Sequence, residues 1–394
     1  MSSSEYSAHL KCLQLTGQVK LTIDEAGLFI ASLFDGIVIL YSEITAIDLR
    51  DYAVQIHSDA DIYTLSRFER GCEPFYNTLN EAFNKKVRKA LFVTDTPVFR
   101  TRGEYRYEEE DKNVSGKAVI EVYKDCVLIL PPDDGARRIP ICFAGGMQDN
   151  DFELILSLGT GESYSFIRLG HDTDTFVECL ADRLHFLRTR ALSAVRALDG
   201  SLNSAQASAI AKLMPEGVAV PLHKLAAIAP SFVTAVEAQV SQSRVGNEYR
   251  FFKEICDPLE VCVGMKSGLA GEQNQDVLWI IAPGKKPGVA AVELATGVET
   301  AAATFMYRFL ESWGVFYPAL NRAMEAVNFK REIIRLTDDE LKMPEYADYA
   351  MAVKRTRALR FLRDRFAGRV IHASEESWKR EIVSYMNPVQ IAIN

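Results

Sequence analysis

Residues 17–92 pass from short apolar runs to a four-residue apolar spacing. "QVKLTID" (18–24), "LFIAS" (28–32) and "IVILYS" (37–42) are β-branched and apolar, and "EAG" and "FDG" between them are turn chemistry. "ITAIDLRDYAVQIHS" and "YTLSRF" (63–68) continue in the same manner. Then Phe75, Leu79 and Phe83 fall four apart, which places them on one helical stripe, with Pro74 in the tolerated first turn. The pattern predicts six or seven short antiparallel strands followed by one amphipathic helix.

The same succession returns about a hundred residues later. "AVIEVY" (118–123), "CVLIL" (126–130) and "RRIPI" (137–141) are the strands, with "PPDDG" as a turn. "CFAGGMQDNDFELILSL" follows, and "YSFIRL" (164–169) repeats "YTLSRF". Phe176, Leu180 and Leu184 repeat the helical stripe, with Thr173 and Asp174 as the expected cap. Self-similarity of this length marks a duplicated unit. In each copy the stretch beside the helix, 61–68 and 162–169, is expected to be an open sheet edge. A weaker echo lies at 304–324, where Arg308, Phe309, Phe316, Leu320 and Met324 keep the spacing. Plausible strands precede it at 259–265, 277–282, 289–294 and 300–309. A degenerate third copy and an α/β domain of another kind both fit.

The stretch "ILYSEITAIDLRD" (39–51) resembles the apolar, aromatic-or-proline, polar, polar, isoleucine segment of the pleckstrin-homology-like superfold in its short bacterial form. "RIPICFAGG" is its counterpart, with Pro140 under Tyr41 and Phe143 under Ile44. The resemblance covers residues 17–92 and 116–192. It implies an α+β chain with tandem PH-like bent antiparallel barrels, each capped by a C-terminal helix. The boundaries follow: 1–92 and 93–195 for the two units, 196–243 for an alanine-rich helical spacer, and 244–336 for the possible third PH-like or α/β domain. Residues 337–394 read as C-terminal helices, with a capping box in "TDDE" (337–340) and a long helix over 344–368 ending at a glycine. A last helix starts at 374–382.

Composition narrows the function classes. A chain of 394 residues is expected to hold two to four domains. A net charge of −8 argues against nucleic-acid binding by the chain as a whole. Seven scattered cysteines with no C-x-x-C read as reduced thiols of a cytoplasmic protein. Apolar runs such as "VLWIIA" (277–282) are strand-sized, far below the roughly 20 residues of a membrane helix, and the N-terminus has no basic-then-apolar signal.

No G-x-x-x-x-G-K-[ST], G-x-S-x-G or H-E-x-x-H occurs. "GMKSG" (264–268) reads as a loop, "GTGES" (159–163) as a hairpin turn, and "HSDAD" (57–61) and "HDTD" (171–174) as a loop and a helix cap. His9, His185, His223 and His372 have no companions at ligand spacing, and Cys256 and Cys262 read as core. Neither catalytic residues, metal nor cofactor are expected. A phosphoinositide clamp needs bases on the first two strands, where "LTIDEAGLFIAS" and "CVLILPP" offer none, and Arg137 and Arg138 promise only a weak surface contact. Arg67, Arg168 and Arg308 recur at one place and read as outer-face arginines. Lys85, Lys86, Arg88 and Lys89 suit a helix C-terminus. The expected function is non-enzymatic: an adaptor or scaffold binding another protein through its tandem units. The alternative is an anionic membrane or nucleic-acid surface held by Lys354, Arg357, Arg360 and Arg363 on an arginine-rich helix. An enzyme with its site in 244–336 ranks last.

Overall fold

The duplicated strand pattern folds into two open seven-stranded antiparallel sheets. The structure is a computed structural model that describes residues 4–69, 71–109, 112–150, 153–267, 276–295 and 303–386. The first sheet comprises β1 (Ser4–Lys11), β2 (Thr16–Ile23), β3 (Gly27–Ala31), β4 (Gly36–Leu40), β5 (Ile44–Arg50), β6 (Ala53–Ser58) and β7 (Ile62–Ser66), in the order β4-β3-β2-β1-β7-β6-β5. The helix α1 (Cys72–Ala90) follows, and its Phe75, Leu79 and Phe83 are fully buried against the sheet. The second sheet comprises β8 (Phe99–Glu109), β9 (Lys112–Val122), β10 (Cys126–Leu130), β11 (Arg137–Pro140), β12 (Ala144–Asn150), β13 (Glu153–Leu158) and β14 (Ser163–Ile167), in the same relative order. Its helix, α2 (Thr173–Leu198), buries Phe176 and Leu180. Neither sheet closes into a barrel.

Two strands escaped the pattern, and they change which edges are free. β1 buries only Ala8 and Leu10 among serines, charges and a histidine, so its alternation is faint. β8 alternates Tyr105 and Tyr107 with charged residues. β1 pairs with both β2 and β7, as in Leu10 opposite Leu65, and β8 pairs with β14, as in Tyr105 opposite Phe166. The stretches 61–68 and 162–169, expected as open edges, therefore lie inside their sheets. The outermost strands are β4 and β5 in one and β11 and β12 in the other. The expected cap at Thr173 and Asp174 also differs. A 3-10 turn, Gly170–Asp172, leads into α2, and the Thr173 hydroxyl donates to the Gly170 carbonyl at 2.8 Å.

The C-terminal half builds a third antiparallel sheet, so a parallel α/β arrangement is excluded there. Its strands run in serial order: β15 (Val220–Pro221), β16 (Cys262–Ser267), β17 (Asp276–Pro283), β18 (Val289–Ala295), β19 (Ala303–Arg308) and β20 (Phe366–Ile371). "GMKSG", expected as a loop, thus begins inside β16. The helices are α3 (Ser204–Leu213), α4 (Leu222–Ala226), α5 (Pro230–Gln242), α6 (Gly246–Ile255), α7 (Trp313–Ala326), α8 (Ala347–Arg355), α9 (Arg357–Arg365) and α10 (Glu375–Met386). Ile280, Met306 and Val370 face a core with Ile210, Val236, Phe252 and Trp378 from α3, α5, α6 and α10. Trp279, Ile281 and Tyr307 face Phe316, Leu320, Leu359 and Leu362 from α7 and α9. Helices on both faces explain why these strands are near-continuous apolar runs rather than alternating ones.

The helix expected over 344–368 is interrupted. Thr356 is extended (φ −102°, ψ 97°) and its hydroxyl donates to the Ala90 carbonyl at 3.3 Å, which separates α8 from α9. Gly368 is no helix stop; it lies in β20, where a side chain would meet the Tyr385 ring. The "TDDE" box does form, with Thr337 N–H donating to Glu340 at 2.7 Å, but it opens only a single 3-10 turn.

Buried charges lock the units together. On the outer face of the second sheet the fully buried Glu121 accepts from Arg88 of α1 at 2.9 and 2.8 Å, and from the Tyr123 hydroxyl at 2.8 Å. Arg138, expected at the surface, is buried: it bonds Asp125 at 3.0 Å and the Glu325 carbonyl of α7. Lys266 of β16 completes the group, 2.8 Å from the Glu325 carboxylate and 3.8 Å from Asp125. Burial pushes the Glu325 carboxyl up more than Lys266 and Arg138 pull it down. For Asp125 burial also acts upward, but those two cations bring it below the usual range.

Candidate functional site

The two seven-stranded units carry equivalent edges that the chain treats differently. β5 and β12 both break register at the same point. Ile44 faces Ser58 and then Ala46 faces His57; Ala144 faces Leu158 and then Gly146 faces Ser157. These bulges align Ile44 with Ala144 and Ile47 with Met147, so the pairing of Phe143 with Ile44 read from the sequence is one residue out.

The β5 edge is closed by the chain itself. Ile47 N–H donates outward to the Pro132 carbonyl at 2.8 Å, in the "PPDDG" turn of the second unit. Arg355 from α8 donates to the Ile44 carbonyl at 2.6 Å and the Asp133 carbonyl at 3.1 Å, and its guanidinium lies 4.9 Å over the Phe83 ring of α1. Lys354 adds a bond to the Ser42 carbonyl at 3.2 Å and an ion pair with Asp59.

The β12 edge has no such cover among the described residues. β12 is the last strand of its sheet, and of its seven residues only Ala144 and Met147 are half-buried. Beside it α2 forms the opposite wall of a recess of about 340 Å³ lined by Ala144, Gly146, Met147, Ala181, Leu184, His185 and Arg188. Leu184, expected in the buried stripe, is only half-buried and faces this recess. A Cβ on Gly146 would meet nothing within 4 Å, so its backbone stands open to another chain's approach. Arg188 has no ion pair among the described residues, while His185 lies 3.5 Å from the Thr189 hydroxyl. The site thus combines an outermost strand, an apolar floor and one arginine at its rim.

The basic residues singled out in the sequence are largely engaged. Besides Lys354, Arg363 donates to the Ile333 carbonyl at 3.1 Å, to the Leu336 carbonyl and to Asp338 at 2.8 Å. Arg360 bonds the Val353 and Lys354 carbonyls, and Arg357 has a partner too. Lys86 pairs with Asp348 at 3.0 Å. Arg67, Arg168 and Arg308 are all exposed; the first two adopt positive φ (52° and 55°), and Arg168 pairs with Glu104 at 2.8 Å. Among the described residues no group of three or more His, Cys, Asp or Glu could hold a metal ion, and no helix is long and apolar enough to cross a membrane.

The fold also assembles a polar cluster that spacing could not show. His372, just after β20, lies 3.0 Å from Glu293 of β18 and 3.6 Å from Glu248 of α6. The buried Thr304 hydroxyl donates to Glu293 at 2.6 Å and accepts from the Trp378 indole at 2.8 Å. Burial alone would lower the imidazole, but Glu293 and Glu248 outweigh it and Arg331, and raise it above its ordinary value of 6.5. A raised folded value means that this group stabilises the fold below the unfolded value, and that the contribution is lost as pH rises through the folded one. Denaturant midpoints are expected to fall as pH rises above the ordinary imidazole value of 6.5, and H372Q should flatten that limb.

No protein-family model matches the sequence, and no curated protein matches it significantly. Among solved structures 34 chains match, one of them from the structure of the Spt16D Pob3N heterodimer. That match is 15% identical, covers 41% of this chain and 86% of that chain, and has a TM-score of 0.18. A likeness of that size assigns no function.

Proposed function

We propose that the protein is a non-enzymatic adaptor that binds an extended segment of another protein by strand addition to β12. The two duplicated units, each a seven-stranded sheet followed by one helix, are read as PH-like, as the resemblance at 39–51 implies. One observation carries the proposal: two equivalent edges exist, one closed in cis by a carbonyl on Ile47 N–H, the other presenting Met147 at the same place. Backbone bonds along β12 would supply affinity, and the recess against α2 would select side chains. The engagement of Lys354, Arg360 and Arg363 within the chain favours this reading over an anionic surface.

The test begins with linear peptides selected from a random display library on the full-length protein. Fluorescence anisotropy of a labelled selected peptide should show saturable binding, at least tenfold weaker for M147P, which removes the N–H equivalent to that of Ile47. An edge-strand proline at an unpaired donor leaves the sheet's own bonds in place. Unchanged affinity in a folded M147P would refute strand addition at β12.

A further inference from the structure

We infer that a second recess, at the seam of the first two units, binds a small organic oxyanion, independently of the β12 groove. It measures about 520 Å³, within the roughly 300–1,000 Å³ of small-molecule sites. α1 forms one wall with Tyr76 and Asn80, and the outer face of β8 and β9 forms the other with Arg102 and Lys117. Val119 and Leu130, both buried, supply an apolar floor.

The charges in this recess are unbalanced. Register places Arg102 opposite Val119 and Glu104 opposite Lys117, so all four residues share the outer face. Glu104 is held by Arg168 at 2.8 Å. Arg102 and Lys117 have no ion pair among the described residues, although the neighbouring Arg88 and Arg100 are both matched to Glu81 and Glu121. Asp48, whose charge reaches Tyr76, lies 3.7 Å from Arg50 and 3.4 Å from His57. Two unmatched cations in a chain of net charge −8 make a local positive field that favours an anion.

The buried Val119 and Leu130 define the rest of the ligand. It is a phosphate or carboxylate on a body with one apolar face. Because its contacts come from both units, binding would stiffen the seam.

Calorimetric titration of the full chain with 4-aminophenyl phosphate, 4-aminobenzoate and uncharged aniline tests this. At least one anion should bind saturably and aniline should not; the tighter anion assigns the headgroup as phosphate or carboxylate. R102Q/K117Q, at two exposed positions, should weaken binding at least tenfold with unchanged thermal stability. Hydrogen exchange should slow together at 76–80 and at 102–104 and 117–119. Failure of both anions to saturate, unchanged affinity in the double variant, or protection elsewhere would overturn the site. Unaltered selected-peptide binding in R102Q/K117Q is expected, since the two sites are separate.

Discussion

E325L is expected to lower the unfolding free energy by about 3–5 kcal/mol. The Glu325 side chain is 1% exposed and faces the Lys266 ammonium at 2.8 Å, itself on a strand interior with little access to water. Leucine would leave that ammonium with Asp125, 3.8 Å away and partly open to solvent, the weaker pull of Glu216 and the face of the Phe329 ring. A buried charge that loses its partner costs far more than the pair contributed, because nothing replaces its hydration. The surroundings are shaped to the carboxylate: a Cβ on Gly217, at φ 84°, would collide with it. Adding K266M to E325L removes the stranded charge and is expected to recover most of the loss. Urea unfolding of the three proteins measures this, and equal midpoints for E325L and wild type would contradict the buried lock.

R355A is the second large effect, expected at about 2–4 kcal/mol. Arg355 is 5% exposed, and its guanidinium donates to the Ile44 and Asp133 carbonyls and covers the Phe83 ring. Alanine removes all three contacts and loosens the segment that closes the β5 edge. Amide exchange at Ile47 should therefore accelerate more than exchange at the interior strand position Leu65. Equal acceleration at both would mean general destabilisation rather than opening of that edge.

Much of the duplicated scaffold is legible in the sequence because most of its strands are apolar or alternate, and each helix carries a four-residue stripe. Phe75, Leu79, Phe83, Phe176 and Leu180 are buried as the spacing predicts. β1 is nearly invisible, since its buried positions are only Ala8 and Leu10 between polar residues, and missing it misplaces the edge. Periodicity also cannot distinguish Leu184 from Leu180, because the difference is set by the groove beside β12. The arginine-rich stretch looks like one helix since Arg, Leu and Phe all tolerate helix. Its break at Thr356 comes from tertiary contacts with Ala90, Ile44 and Asp133, two hundred or more residues away. The groups at Glu293, Thr304 and His372, or at Asp125, Arg138, Lys266 and Glu325, come from separate segments and carry no local motif. The edge at β12 was not legible: "AGGMQDN" is polar and glycine-rich with no apolar alternation, and the expected edge fell at 162–169 instead.

The most direct test of strand addition is amide hydrogen exchange of the full-length protein with and without a selected peptide. Strand addition predicts that the Met147 amide slows at least tenfold on binding, with protection extending along 145–150 and the facing residues 181–188 of α2, while Ile47 is unchanged. Tight peptide binding that leaves the Met147 amide as fast as in the free protein would contradict it.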